Sequence, residues 1–193
     1  MLDNLKKYNI VLASNSPRRR ELLGGLGIEF EVRVLPDIEE SYPEGLDAKE
    51  IPLYIAAEKA EANRSQMRPG DLLITADTVV VCDGKALGKP ADAAEACSML
   101  RQLSAKTHQV VTGVCMMSAQ KQSKFAVTTD VTFKELTPDE INYYVNEYRP
   151  YDKAGAYGIQ EWIGYIGVTG INGSFFNVMG LPVQRVYKEL LMF

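Results

Sequence analysis

LLITADTVVVCDGKALGKP, residues 72–90, is an apolar run broken in its middle by Asp77 and Thr78. A carboxylate and a hydroxyl inside such a run are expensive to bury unless something pairs with them. The run turns at Asp83-Gly84, resumes at Ala86-Leu87 and ends in Gly88-Lys89-Pro90, which reads as a hairpin. That hairpin predicts an acid, Asp77, and a cation, Lys89, in one neighbourhood, and so marks a candidate site.

Upstream, NIVLA (9–13) reads as a short strand. It leads through Ser14-Asn15-Ser16-Pro17 into RRRELLGGLG, a helix with Ser16 as its cap and Pro17 at its first position. Arg18, Arg19 and Arg20 fall in the first turn, where the helix dipole disfavours cations by roughly 0.3–1 kcal/mol each. An anionic ligand explains the group, because free N–H groups and arginine forks meet there at a strand-to-helix junction. FEVRVL (30–35) alternates as a strand and runs into Ile38-Glu39-Glu40, whose acids are candidates for a metal or simply a solvated loop. The spacing predicts a helix over 48–64, in which Lys59 reads as a surface lysine on pattern alone.

Downstream, 92–103 is a helix, and 108–117 with 124–133 form a second hairpin whose later strand alternates strictly. Thr137-Pro138-Asp139-Glu140 is a capping-box pattern for a helix over 138–148. The loop YDKAGAYGIQ (151–160) carries Lys153 and Gln160 between glycines that permit close backbone approach. WIGYIGV (162–168) reads as a bent aromatic strand, Asn172-Gly173 as a turn and 181–191 as a closing helix. Strands alternating with helices, together with antiparallel hairpins, predict one α/β domain with a mixed sheet.

Composition narrows the function. The 193 residues are 46% hydrophobic, enough for one core, and the net charge of −4 with a pI near 5.2 argues against a general nucleic-acid binder. No apolar run is long enough for a membrane span and no signal-peptide pattern opens the chain, so a cytoplasmic location is expected. Cys82, Cys97 and Cys115 are too few and too scattered for a disulfide framework, and they read as small buried hydrophobes. His108, the only histidine, reads as structural.

The polar groups left unexplained are Arg18, Arg19, Glu40, Lys59, Asp77, Thr78, Lys89, Lys153 and Gln160. Cations able to hold phosphates accompany carboxylates able to hold a divalent metal, a combination suited to hydrolysis of a nucleotide phosphate. The chain lacks GxxxxGK[ST], so it is not a P-loop enzyme.

SNSPRRRELL (14–23), IEE (38–40), EKA (58–60), ADTVV (76–80), GKP (88–90) and DKAGAYGIQ (152–160) resemble, in order, the Maf family of nucleoside triphosphate pyrophosphatases, and KAGAYGIQ is similar to its dTTP/UTP branch. The resemblance implies a Maf/ITPase-like α/β fold: a mixed twisted sheet flanked by helices, with two lobes around a central nucleotide cleft. It implies hydrolysis of dTTP, UTP and modified pyrimidine triphosphates to monophosphate and pyrophosphate, with Mg or Mn as the divalent cation. By the same resemblance Asp77 is the catalytic base, Arg19, Thr78 and Gln160 select the substrate, Ser14, Arg18, Lys59 and Lys89 bind phosphate, and Glu40 joins Asp77 at the metal. It is compatible with a homodimer and implies neither a nucleic-acid nor a membrane partner. Two other readings stay open: a 7-methyl-GTP or purine nucleotide pyrophosphatase, and a non-enzymatic nucleotide-binding regulator of septum formation. Arg20 and the Glu161-Trp162 segment stand out as local differences from the family pattern.

Overall fold

The computed structural model describes every residue except Met1, Asp37 and Glu39. Among the described residues seven strands form a mixed sheet in the order β2-β1-β3-β5-β6-β7, with β4 paired to β3. These are β1 (Asn9–Leu12), β2 (Glu31–Val32), β3 (Asp71–Cys82), β4 (Lys85–Leu87), β5 (Thr107–Met117), β6 (Gln122–Phe133) and β7 (Val168–Asn172). β1 lies parallel to β2 and β3, whereas the β3–β4 and β6–β7 pairs are antiparallel.

The chain divides into two compact units: residues 1–77, 112–127 and 180–193, and residues 78–111 and 128–179. The first contains α1 (Pro17–Gly24), α2 (Ile51–Asn63) and α7 (Val183–Leu190). Its core includes Val11, Ala56, Ala60, Leu73, Cys115 and Met117. α2 comes unusually close to the sheet at Gly113 of β5, where a Cβ would stand 2.3 Å from the Leu53 nitrogen. Ala56 and Ala60, both fully buried, keep that contact thin, and Thr75 Oγ1 of β3 donates to the Ala56 carbonyl at 2.6 Å.

The second unit contains α3 (Ala93–Leu103), α4 (Pro138–Tyr148), α5 (Trp162–Gly167) and α6 (Phe175–Met179). Its core joins Leu100, Leu103, Val110, Val131, Ile141, Tyr144 and Ile163 to an edge-to-face aromatic cluster of His108, Phe133 and Tyr157. His108 is structural, as expected: Nε2 pairs with the Tyr157 hydroxyl at 2.7 Å, and burial lowers its pKa to about 4.

The hairpins, the Ser16 cap and the Thr137–Glu140 capping box form as read from the sequence. Two segments and one cysteine differ. Residues 162–167, expected as a bent strand, are the helix α5, and the strand β7 begins only at Val168. The reason is Gly164, where a Cβ would lie 1.8 Å from the Ile159 carbonyl oxygen; the helical turn closes onto the preceding loop in a way no side chain permits. The strand expected over 30–35 shortens to Glu31–Val32, in register with Val11 and Leu12 of β1, with one further bond from the Arg33 N–H to the Leu12 carbonyl at 3.2 Å. Cys97 is half-buried rather than buried, and all three cysteines are free thiols.

Candidate active site

In the first unit, β3 carries Asp77 at a half-buried step, Asp77-Thr78, in an otherwise buried strand. α2, pinned to β3 and β5 through Thr75 and Gly113, brings Lys59 onto it. Lys59 Nζ lies 3.0 Å from Asp77 Oδ1 and 2.7 Å from Glu40 Oε1, so one ammonium holds two carboxylates. Its side chain is only 13% exposed. The sequence pattern therefore misplaced it on the surface: its partners lie 18 and 19 residues away, beyond the reach of helical periodicity. Burial raises the Asp77 pKa above the usual carboxylate range, against the opposing pull of Lys59 and Arg19. A carboxylate tuned upward is better matched to take a proton near neutral pH.

Arg19 enters from the first turn of α1, whose N-terminus Ser16 caps by accepting from the Arg19 N–H. Its Nε donates to the Gly180 carbonyl at 2.8 Å and its Nη1 to the Ala76 carbonyl at 2.9 Å, with Ser14 Oγ at 3.4 Å. The guanidinium thus braces the main chain next to Asp77. Burial lowers its pKa, with Asp77 and Glu40 acting in the other direction. Arg18 is half-buried and Arg20 exposed.

The second unit holds Thr78, Lys89 and Gln160. Thr78 is half-buried and Lys89 exposed. Gln160 belongs to a tight turn closed by the Glu161 N–H donating to the Gly158 carbonyl at 3.0 Å. It lines a cavity of about 240 Å³ with Ile159, Gly164, Val168, Ile171 and Phe175. Its Oε1 is buried and accepts no hydrogen bond among the described residues. Lys153, unexplained in the sequence, is buried against Asp152 and Glu161 at 2.8 and 3.1 Å.

Residues 9–193 match the family described as Maf-like protein. The chain belongs to the Maf family. A protein of Phocaeicola vulgatus named dTTP/UTP pyrophosphatase is 63% identical over 190 residues, 98% of each chain. One of the same name from Parabacteroides distasonis is 62% identical over the whole of both chains. Another from Flavobacterium johnsoniae is 47% identical over 97% of this chain and 96% of that protein. Among solved structures, a HAM1 protein from Coxiella burnetii aligns with TM-score 0.44 and 17% identity over 75% of this chain and 94% of that one, a likeness too distant to inform the site.

In this Maf protein, then, Ser14, Arg19, Glu40, Lys59 and Asp77 meet in one unit, while Thr78, Lys89 and Gln160 belong to the other. Glu39, the neighbouring candidate acid, lies outside the described residues. Among the described residues no three His, Cys, Asp or Glu side chains cluster. Two carboxylates converging on one cation nonetheless fit a magnesium-type ion, which commonly takes one or two carboxylates and completes its shell with water and substrate phosphates. Tyr144 escapes the sequence reading, and Glu161 enters it only as part of a local difference from the family pattern. Tyr144 sits on the apolar stripe of α4 and reads as core; the only local signal is a glutamate directly after Gly158-Ile159-Gln160.

Proposed function

We infer that this chain is a dTTP/UTP pyrophosphatase with a nucleotide house-cleaning role, acting in the cytoplasm as a divalent-metal enzyme and assembling as a homodimer. The observation that carries the reading is the Lys59 ammonium held between Asp77 and Glu40 beside the half-buried Arg19. The 60–63% identity to proteins of that name supports it.

Glu40 and Asp77 would hold Mg or Mn, which when bound supplies charge neutralisation at the phosphoryl oxygens. Asp77 accepts the proton of the attacking water, whose oxygen bonds to the α-phosphorus as the bond from that phosphorus to the α–β bridging oxygen breaks. Pyrophosphate leaves with that oxygen, and the monophosphate keeps the new one. Lys59 and Ser14 receive phosphate oxygens, and Arg18 and Lys89 are assigned to them on the family resemblance alone; such donors stabilise the charge that grows on the leaving group. Arg19, Thr78 and Gln160 select the substrate. The buried Gln160 Oε1 accepts from no donor among the described residues, a condition that costs about 1–3 kcal/mol. Turned toward a base, the amide oxygen finds that donor in the N3–H of uracil or thymine, whereas the bare N3 of cytosine offers none.

A panel of dTTP, UTP, CTP, GTP and 7-methyl-GTP, run with Mn²⁺ and with chelator while pyrophosphate and orthophosphate are both measured, tests this. The expected result is pyrophosphate from dTTP and UTP, abolished by chelator. Release of orthophosphate, or a preference for 7-methyl-GTP, overturns it.

A further inference from the structure

Gln160 is the third residue of the turn Gly158-Ile159-Gln160-Glu161, and one hydroxyl holds both ends of that turn. The Tyr144 hydroxyl accepts from the Gly158 N–H at 3.0 Å and donates to the Glu161 carboxylate. The other carboxylate oxygen of Glu161 meets Lys153 Nζ at 3.1 Å, and Lys153 in turn meets Asp152. The network leaves no slack: a Cβ on Gly158 would come within 2.9 Å of the Glu161 carboxyl carbon, and one on Gly164 would strike the Ile159 carbonyl. Tyr144 is completely buried, and its ring stacks on Tyr148 at 5.0 Å. The hydroxyl therefore stands on a rigid helix, and the turn is fastened to it.

A turn needs one hydrogen bond to close, and this one already has it in the Glu161 N–H to Gly158 carbonyl bond. The added clamp fixes the backbone turn that carries Gln160, and an amide discriminates between bases only if the chain that presents its donor and acceptor ends is held in place. From this we propose that Tyr144 and Glu161 are positioning residues for substrate selection, acting through Gln160 to fix its amide for the pyrimidine edge. The inference rests on the reading of Gln160 as the residue that meets the base.

The test compares Tyr144→Phe, Glu161→Ala, Glu161→Gln, Gln160→Ala and the double variant Tyr144→Phe/Gln160→Ala for kcat and KM on UTP and CTP. Inhibition by pyrophosphate serves as a gauge of the phosphate site alone. Tyr144→Phe keeps the buried ring, and the expected result is a KM for UTP raised about three- to tenfold, the worth of one hydrogen bond. The UTP-over-CTP preference falls in step, while pyrophosphate inhibition is unchanged. Glu161→Ala behaves alike, and Glu161→Gln, which keeps an acceptor for the phenol, restores the preference. The double variant is no worse than Gln160→Ala, as two residues acting through one require.

A Tyr144→Phe enzyme with wild-type preference overturns the inference while a weakened Gln160→Ala upholds the base reading. Preference unchanged in Gln160→Ala itself overturns the base reading and this inference with it. Losses that add in full in the double variant overturn the inference alone.

Discussion

The chain handles its two kinds of polar group in opposite ways. In the first unit the deciding side chains are charged and paired: Lys59 with two carboxylates, and Arg19 with two carbonyls. Around Gln160 the decisive group is a neutral amide whose oxygen has no partner among the described residues, and the bonding is spent on the backbone turn beneath it. Buried charges must be paired or they neutralise. A buried neutral acceptor can wait for its partner at a cost the fold tolerates. The first arrangement suits chemistry on phosphate, the second suits choosing a base.

The sharpest way to break this contrast is Asp77→Asn. It removes the proton acceptor but not the amide, so kcat falls by about 10³-fold, within the usual range for a lost general base. Nucleotide affinity and the preference for UTP over CTP in binding stay within a few-fold, as calorimetric titration would record. Wild-type turnover in this variant removes Asp77 from the mechanism.

A second, smaller effect lies in the core of the second unit. The folded pKa of His108, about 4, lies below its ordinary 6.5. Between those values the unfolded chain binds more protons than the folded one, so stability rises with pH. The contribution is complete above about pH 6.5, is lost as pH falls toward 4, and amounts to roughly 3 kcal/mol. Urea unfolding across this window should show the wild type losing more stability than His108→Gln by about that amount. Parallel profiles would mean that the imidazole keeps its proton in the fold.

The smallest expected effect returns to the charged side. Thr75→Val removes the hydroxyl that ties β3 to the Ala56 carbonyl. It should lower stability by about 1 kcal/mol in denaturant titration, with a modest loss of turnover because α2 carries Lys59. Loss of turnover as deep as in Asp77→Asn would show that the helix anchor outweighs the acid itself.

What was legible in the sequence was what is local. Ser16, Pro17 and the Thr137–Glu140 box act within a few residues, and Asp83-Gly84 turns the chain by its own backbone preferences, with Asp83 at φ 50° and Gly84 at φ 74°. The pairing of the Lys59 ammonium with two carboxylates was illegible because helical spacing says nothing about a strand 18 residues on. α5 was misread because Trp162, Ile163, Tyr165 and Ile166 favour strands, while its helical turn is imposed by the approach of Gly164 to Ile159. Asp77, Arg18, Lys59, Lys89 and Gln160 were named through their motifs; the clamp on the turn that carries Gln160 was hidden in Tyr144, whose ring satisfies the pattern and whose hydroxyl does not enter it.

Trp162 is the only tryptophan of the chain, follows Glu161 directly and meets the Tyr143 ring edge to face at 4.8 Å. Its emission is thus a built-in optical gauge, reporting from the residue next to the Glu161 clamp without any label. A stopped-flow trace of that single fluorophore, recorded as UTP or pyrophosphate is mixed in, separates base arrival from phosphate arrival in time.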